Sequence, residues 1–118
     1  MAIDLDTLSS GLAAMPWAQP ERPFGAQTLV FKVGGRMFAM VARTDAGGRA
    51  TFKGDPVLAE VLPEAYPGAT PGYHTNKRHW STVSLDGDAP DEVVWNMAQA
   101  SDEIVLKALP RTVRAGLA

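Results

Sequence analysis

The sequence predicts an α+β fold: a two-layer sandwich of an antiparallel sheet of about five strands, with helices on one of its faces. Two apolar runs flank a Gly34-Gly35 pair, which is typical of a β-hairpin because a type I′ turn needs positive φ at both central residues. Apolar residues recur at helical spacing near both ends of the chain. Strands joined by tight turns pair antiparallel, and helices then cover one sheet face.

The first element is a helix that begins after Asp4 or Asp6, either of which can cap it, and that ends at Pro16. Residues 17–26 follow as a rigid, irregular connector that contains two prolines and a glycine. The helix is predicted by four apolar residues at helical spacing, Leu5, Leu8, Leu12 and Met15.

The next elements are strands over residues 29–33 and 36–43, and a third strand near 49–53 completes a meander. The two-residue turn sets the register of the hairpin. It predicts that residue 33 pairs with 36, 31 with 38, and 29 with 40.

Strict alternation along these two strands assigns their side chains to opposite faces of the sheet. The face predicted to be core carries Leu29, Phe31, Phe38 and Met40. The face that the helices leave partly uncovered carries Val30, Lys32, Met37, Ala39, Val41 and Arg43.

A second helix is predicted to begin at Asp55-Pro56, where Asp caps the helix and Pro fits its first turn. A strand over 80–85 should pair with residues around 72–75. A long helix over 90–109 carries acids in its first turn, as the helix dipole favours. Pro110 can open a short terminal helix over 111–117. The element order is α-β-β-β-α-β-β-α, with a last short helix.

The composition is that of one folded domain, residues 1–118, with 46% hydrophobic and 20% charged residues. The absence of cysteine excludes disulfides, thiolate catalysis and cysteine-based metal sites. The N-terminus lacks the basic and apolar regions of a signal peptide, and no apolar run reaches membrane-spanning length. We therefore expect a cytoplasmic protein without membrane association.

The net charge is −2, but its sign is segregated along the chain. Residues 22–80 hold eight bases and four acids, and residues 107–118 hold three bases and no acid. Residues 1–21 and 81–106 carry acids and no base. Because nucleic-acid binding needs a local basic surface rather than a basic total, DNA remains a candidate partner.

Residues 71–80 form the densest cluster of functional side chains in the sequence. Lys77 and Arg78 can supply charge to phosphates, while Asn76 and a histidine can supply shorter hydrogen bonds. Tyr73 or Trp80 could stack on a base, although we assign Trp80 to the core. These residues predict a contact loop rather than a reactive centre.

Catalytic and metal chemistries find no support in the sequence. His74 and His79 are the only histidines, and zinc would need a third protein ligand. The acids around Asp86 fail the calcium-loop pattern at its sixth and twelfth positions, Asp91 and Met97. No phosphate-binding glycine loop or nucleophile motif is present. We therefore predict a non-catalytic protein with no cofactor and no metal.

Four ordered segments, spread over nearly the whole chain, form a recognisable set: Pro23 to Gly25, Lys32 to Ala39, Pro71 to Trp80, and Ser101 to Val105. Together they resemble the MmcQ/YjbR family. The resemblance implies a small cytoplasmic domain with a secretion-chaperone-like or frataxin-like α/β fold. It also implies DNA binding through a double-wing arrangement of hairpins.

The first functional hypothesis is weak, salt-dependent DNA binding through residues 71–80 and the basic part of the sheet. The residues predicted to contact DNA are Lys32, Arg36, Arg43, His74, Asn76, Lys77, Arg78 and His79.

Two other hypotheses remain open. The chain could be a protein-interaction or adaptor module, or a homodimer, that uses the half-apolar face with Val30, Met37, Ala39 and Val41. A frataxin-like metal handler is disfavoured because the first helix carries only two acids, Asp4 and Asp6.

Overall fold

The computed structural model describes residues 4–22, 25, 27–44, 47–54, 69–71, 79–85 and 90–117. Within these residues the chain forms three helices and one six-stranded sheet. In chain order the elements are α1 (Leu5–Ala13), β1 (Gln19–Glu21), β2 (Thr28–Val33), β3 (Arg36–Ala42), β4 (Arg49–Lys53), β5 (Ala69–Pro71), β6 (Trp80–Ser84), α2 (Asp91–Ala108) and α3 (Arg111–Ala115).

The sheet is antiparallel throughout, with the strand order β1-β2-β3-β4-β6-β5. Helices α1 and α2 pack on one face of it. The α+β sandwich and the β2-β3-β4 meander predicted from the sequence are confirmed. The long helix and the short terminal helix are also present, within one or two residues of their predicted bounds.

The sequence missed the short strand β1, which lies inside the stretch 17–26 that was predicted to be irregular. Gln19 pairs with Lys32, and Pro20 lies beside Phe31. Proline is tolerated here because β1 is an edge strand. Three residues are too few to produce a periodic signal, so pairing with β2 defines this strand.

Two other predictions concern regions that are only partly described. The second helix, predicted from residue 55, lies outside the described residues. The described partner of β6 on this side is β5, whose Ala69 pairs with Val83 and whose Pro71 pairs with Ser81, just before the predicted residues 72–75. Residues 72–75 themselves lie outside the described residues.

Asp4, rather than Asp6, caps helix α1. Its carboxylate accepts hydrogen bonds from the Thr7 backbone N–H at 2.8 Å and from the Thr7 hydroxyl at 2.9 Å. The backbone bond, which has the larger effect, and the hydroxyl bond both stabilise the charged form of Asp4. They hold the pKa of its carboxyl below the usual value. Asp6 is thereby available for a contact elsewhere.

The predicted hairpin register is wrong beyond its first pairs, because β3 contains a bulge at Phe38. Val33 pairs with Arg36 and Lys32 with Met37, but Phe31 pairs with Ala39. Phe38 is therefore the extra residue of the bulge. Its buried ring lies 6.5 Å from that of Phe31, centroid to centroid.

The bulge moves the rest of β3 to the opposite face from the predicted one. Ala39 and Val41, predicted on the uncovered face, lie in the core beneath the helices. Met40, predicted in the core, lies on the opposite face beside its register partner Val30. A one-residue shift has this effect because side chains alternate along a strand.

The core lies between the sheet and helices α1 and α2. The two helices approach closely at Gly11, where an added Cβ would overlap the Trp95 ring. A residue with a side chain at this position would therefore require the Trp95 ring to move. The buried core residues are Leu8, Leu12, Phe31, Val33, Phe38, Ala39, Val41, Ala50, Phe52, Val83, Leu85, Val94, Met97, Ala98 and Val105.

The sheet face opposite these helices is buried at its centre. Val30 and Met40 are only 2% and 8% exposed. The hydroxyls of Thr51 and Thr82 hydrogen bond to each other at 2.8 Å across β4 and β6. Trp80, which we predicted in the core, is half-buried on this face, with the Lys53 ammonium 5.9 Å from its ring centroid.

None of the helices in the described part of the chain is long and apolar enough to cross a membrane.

Candidate nucleic-acid interface

Several strand termini meet at the end of the sheet that carries the Gly34-Gly35 turn, which we call the hairpin end. Both turn glycines have positive φ, 58° and 82°, as the sequence predicted for a type I′ turn. Phe52 of β4 pairs with Ala39, so the next residue, Lys53, lies level with the bulge near this end. Lys53 in turn pairs with Trp80, the first residue of β6.

The residues that flank the 72–78 segment also lie at the hairpin end. Pro71 ends β5 beside Ser81, and His79 immediately precedes β6. The carbonyl of His79 accepts a hydrogen bond of 2.8 Å from the Gly54 backbone N–H. The other predicted contact residues of this segment, His74, Asn76, Lys77 and Arg78, lie outside the described residues.

The C-terminal segment brings further cations to the hairpin end. A Cβ added to Gly34 would lie 2.7 Å from a Leu109 methyl carbon and 3.1 Å from one of Val113. Helix α3 therefore packs directly beside the hairpin turn. The sequence indicated that residues 107–118 are basic, but only this contact joins them to the hairpin.

We call the cations gathered here the hairpin-end basic surface. They are Lys32, Arg36, Lys53, Lys107, Arg111 and Arg114. The acids at this end of the described structure are Glu21, Asp102 and Glu103. Glu21 pairs with Lys32 at 2.9 Å, and Asp102 is buried. The remaining exposed charge at this end is predominantly positive.

Arg43 lies at the opposite end of the sheet, about 20 Å from Arg36, because the six residue steps from Gln27 to Val33 on the neighbouring strand span the same length at the usual rise per strand residue. Its guanidinium forms a 3.2 Å ion pair with Asp6 on helix α1. The prediction that Arg43 shares a sheet face with Lys32 is therefore wrong, because the bulge turns Arg43 toward the helices. The acids Asp4, Asp6, Asp91 and Glu92 lie at this opposite end.

Helix α2 contacts the strands near the hairpin end through Ser101, which is fully buried. The Ser101 hydroxyl accepts a hydrogen bond from the Lys53 backbone N–H at 2.8 Å and donates one to the Phe38 carbonyl. These are the strand groups just beyond the last β3–β4 register pair. The hydroxyl therefore continues the ladder where the bulge interrupts it.

Asp102 is the buried acid of this region, with 9% exposure. Its Oδ1 atom has no hydrogen-bond partner among the described residues. Burial raises the pKa of the Asp102 carboxyl above its usual 3.8, and the neighbouring Glu103 charge raises it further. The charged form of Asp102 therefore destabilises the fold.

Substituting Asp102→Asn should raise the free energy of unfolding at neutral pH by about 1 kcal/mol, because a buried charge is removed. Since the folded-state pKa is raised, the native protein binds more protons, and wild-type stability falls as pH rises through the folded pKa. The advantage of the variant should shrink as pH falls and vanish below 3.8. Urea denaturation between acid and neutral pH measures it.

Glu103→Gln is the matched control for that experiment, since it removes the same charge from an exposed neighbour. We expect only a small gain from this variant, through the weaker repulsion on Asp102. Equal gains from both variants would contradict a specific cost of burying Asp102.

Within the described ranges, no three His, Asp or Glu side chains form a cluster that could hold a metal ion.

These observations define a small two-layer α+β protein with a basic surface at one end of its sheet. A family model described as YjbR matches residues 13–101 of the chain. The chain belongs to the YjbR family.

Two curated proteins from Escherichia coli are similar to this chain in sequence. The "Uncharacterized protein YjbR" of strain K12 is 37% identical over 83 residues, 70% of each chain. The "Uncharacterized protein YbdF" of strain O157:H7 is 28% identical over 97 residues, which cover 82% of this chain and 80% of the relative.

Solved structures show the same fold. The crystal structure of Deinococcus radiodurans protein DR2400, with family-model domain DUF419, is 38% identical and matches with a TM-score of 0.87. The match covers 97% of this chain and 87% of that one. A Pseudomonas syringae protein with 20% identity matches with a TM-score of 0.77 over 86% of this chain and 98% of its own. That second likeness concerns the fold alone.

Proposed function

We propose that this chain is a non-catalytic DNA-binding protein that contacts the phosphate backbone through the hairpin-end basic surface. The observation that carries the proposal is the excess of cations over acids at the hairpin end, whereas the opposite end carries charges of both signs, as in the Arg43–Asp6 pair. Six cations from β2, β3, β4, α2 and the C-terminal helix gather at the hairpin end. Such a local concentration of cations attracts a polyanion even when the net charge of the protein is negative.

The connectivity supports two contact segments at this end, one on each side of β4, in keeping with a double-wing arrangement. The first is the β2–β3 hairpin with Arg36 beside its turn. The second is the connection between Pro71 and His79, whose sequence includes Lys77 and Arg78. The strand ends that flank both segments lie at the same end of the sheet.

The face that the competing hypothesis assigns to protein interaction is mostly buried. Of the four residues that defined the face, Ala39 and Val41 lie in the core, and Val30 is 2% exposed. Only Met37 remains half-buried. These residues do not form an exposed apolar patch of the size that marks a protein-binding site.

The double variant Arg36→Gln/Arg114→Gln should weaken DNA binding about tenfold at low salt, because two phosphate contacts are lost. It should also make the slope of log affinity against log salt shallower by about 2. Fluorescence anisotropy with labelled oligonucleotides at several salt concentrations measures both quantities. For the wild type we expect dissociation constants on the order of 10⁻⁴ to 10⁻⁶ M.

The matched control is Arg22→Gln/Arg43→Gln, which changes the net charge equally. Arg22 lines the same pocket as Asp6 and Arg43 at the opposite end of the sheet. It should leave the salt slope unchanged. If both double variants weaken binding equally, total charge rather than the hairpin-end basic surface controls the affinity. If the wild type binds no DNA at low salt, the proposed function is wrong.

A further inference from the structure

Trp17 is an exposed aromatic side chain beside the hairpin end. It follows helix α1 and precedes Gln19, whose register partner is Lys32 of the hairpin. Trp17 is 48% exposed, and Val113 is the other large apolar residue that is exposed in the described structure. Trp17 is therefore an exposed residue that lies two positions along the chain from the register partner of Lys32, a member of the hairpin-end basic surface.

The backbone of Trp17 adopts a conformation that residues with a side chain seldom adopt. Its φ is +62°, and it is the one residue other than glycine in the described structure with a positive φ. Glycine would satisfy this conformation without strain. Because the ring is half-exposed, deep burial of the side chain does not compensate for this backbone strain. Backbone strain of this kind is characteristic of functional sites.

We propose that Trp17 is a stacking platform for an unpaired base, and that the chain therefore prefers single-stranded DNA to duplex DNA. This inference rests on the proposed function, because the cations of the hairpin-end basic surface must hold the phosphates. Exposed aromatic rings beside a basic groove are the usual means of binding single strands, since every base presents a face for stacking. In a duplex the bases are already stacked on each other and do not reach the ring.

A second tryptophan ring, that of Trp80, lies on the other side of the hairpin-end basic surface and supports a stacking role for this end of the sheet. Trp80 is half-buried on β6, with the Lys53 ammonium over its ring. The sheet order separates β1 from β6 by four strand spacings, which is about 19 Å. Lys32 and Arg36 belong to the hairpin between them. A single strand that crosses this end would meet a ring, then cations, then a second ring.

The test compares a labelled single-stranded oligonucleotide with the duplex of the same sequence at low salt, using wild type and Trp17→Gly. Glycine removes the ring while suiting the observed backbone conformation. We expect single-strand affinity to fall about fivefold or more, the usual effect of losing one stacked base. Duplex affinity and the thermal midpoint should not fall. Trp17→Phe, which keeps a ring, should recover part of the affinity.

Val113→Ala is the control, because it removes the other exposed apolar side chain at the same end without removing a ring. It should bind both oligonucleotides as the wild type does. Unchanged single-strand affinity in Trp17→Gly, or an equal loss for both oligonucleotides, overturns the stacking role. In those cases a loss in Arg36→Gln/Arg114→Gln still supports DNA binding. If the wild type binds neither oligonucleotide, both proposals fail.

Discussion

Replacing Ser101 with alanine is expected to lower the free energy of unfolding by about 2–4 kcal/mol. The hydroxyl of Ser101 satisfies two strand groups, the part-buried Lys53 N–H and the buried Phe38 carbonyl. Alanine leaves both without a partner, and each buried unsatisfied group costs about 1–3 kcal/mol. The side chain loses little volume, so unmet hydrogen bonding rather than a cavity accounts for the effect. Urea denaturation followed by far-UV circular dichroism measures it.

Ser10→Ala is the control for this measurement, because Ser10 is an exposed serine in the middle of helix α1. Its replacement should change stability by no more than about 0.5 kcal/mol. If Ser101→Ala costs no more than Ser10→Ala, the strand groups have found other partners. The hydrogen bonds that Ser101 makes between helix α2 and the sheet would then not be needed to stabilise the bulge.

Gly34→Ala should be the second most disruptive change, with an expected loss of about 2–3 kcal/mol. Two effects add here. The left-handed backbone at φ 58° costs a residue with a Cβ about 1–2 kcal/mol. The new methyl group would also lie 2.7 Å from a carbon of the buried Leu109, which adds overpacking of about 1 kcal/mol. Chemical denaturation compared with the wild type measures the sum.

Gly35→Ala separates the two effects. Gly35 has a φ of 82°, and nothing lies within 4 Å of the position of an added Cβ. This variant should therefore lose only the backbone contribution of about 1–2 kcal/mol. Equal losses at the two positions would mean that Leu109 moves aside freely. Helix α3 would then not be tightly packed against the hairpin turn.

The sequence was a reliable guide where a local pattern has one structural solution. Helix α1 followed from the spacing of Leu5, Leu8 and Leu12, and the hairpin turn followed from Gly34-Gly35. Strand β1 could not be predicted in this way. It is three residues long, contains a proline and owes its extended form to the neighbouring strand.

The bulge at Phe38 shows why the face assignment could not follow from alternation. Alternation holds only while the register is regular, and one extra residue reverses the faces of everything after it. The bulge places both Phe38 and Ala39 in the core, and it requires Ser101, 63 residues away, to satisfy the Phe38 carbonyl. No local pattern in β3 encodes a partner on a distant helix.

The basic character of the candidate site could be predicted from the sequence, but the full set of residues that form it could not. The sequence indicated local excesses of basic residues and included Lys32 and Arg36 in the predicted contact set. It also included Arg43, which pairs with Asp6 at the opposite end of the sheet. It omitted Arg111 and Arg114, because nothing in their surroundings shows that Leu109 and Val113 pack on Gly34.

The sequence by itself determined the class of this protein: an α+β sandwich with a glycine hairpin, no cysteine chemistry and basic segments separated from acidic ones. These properties depend on composition and on short-range spacing, which act within a few residues. Only the tertiary structure decided which face each β3 side chain occupies, which cations share the hairpin end, and that Trp17 stands exposed beside them. Those outcomes depend on contacts between segments far apart in the chain, where core volume and hydrogen bonding select one arrangement.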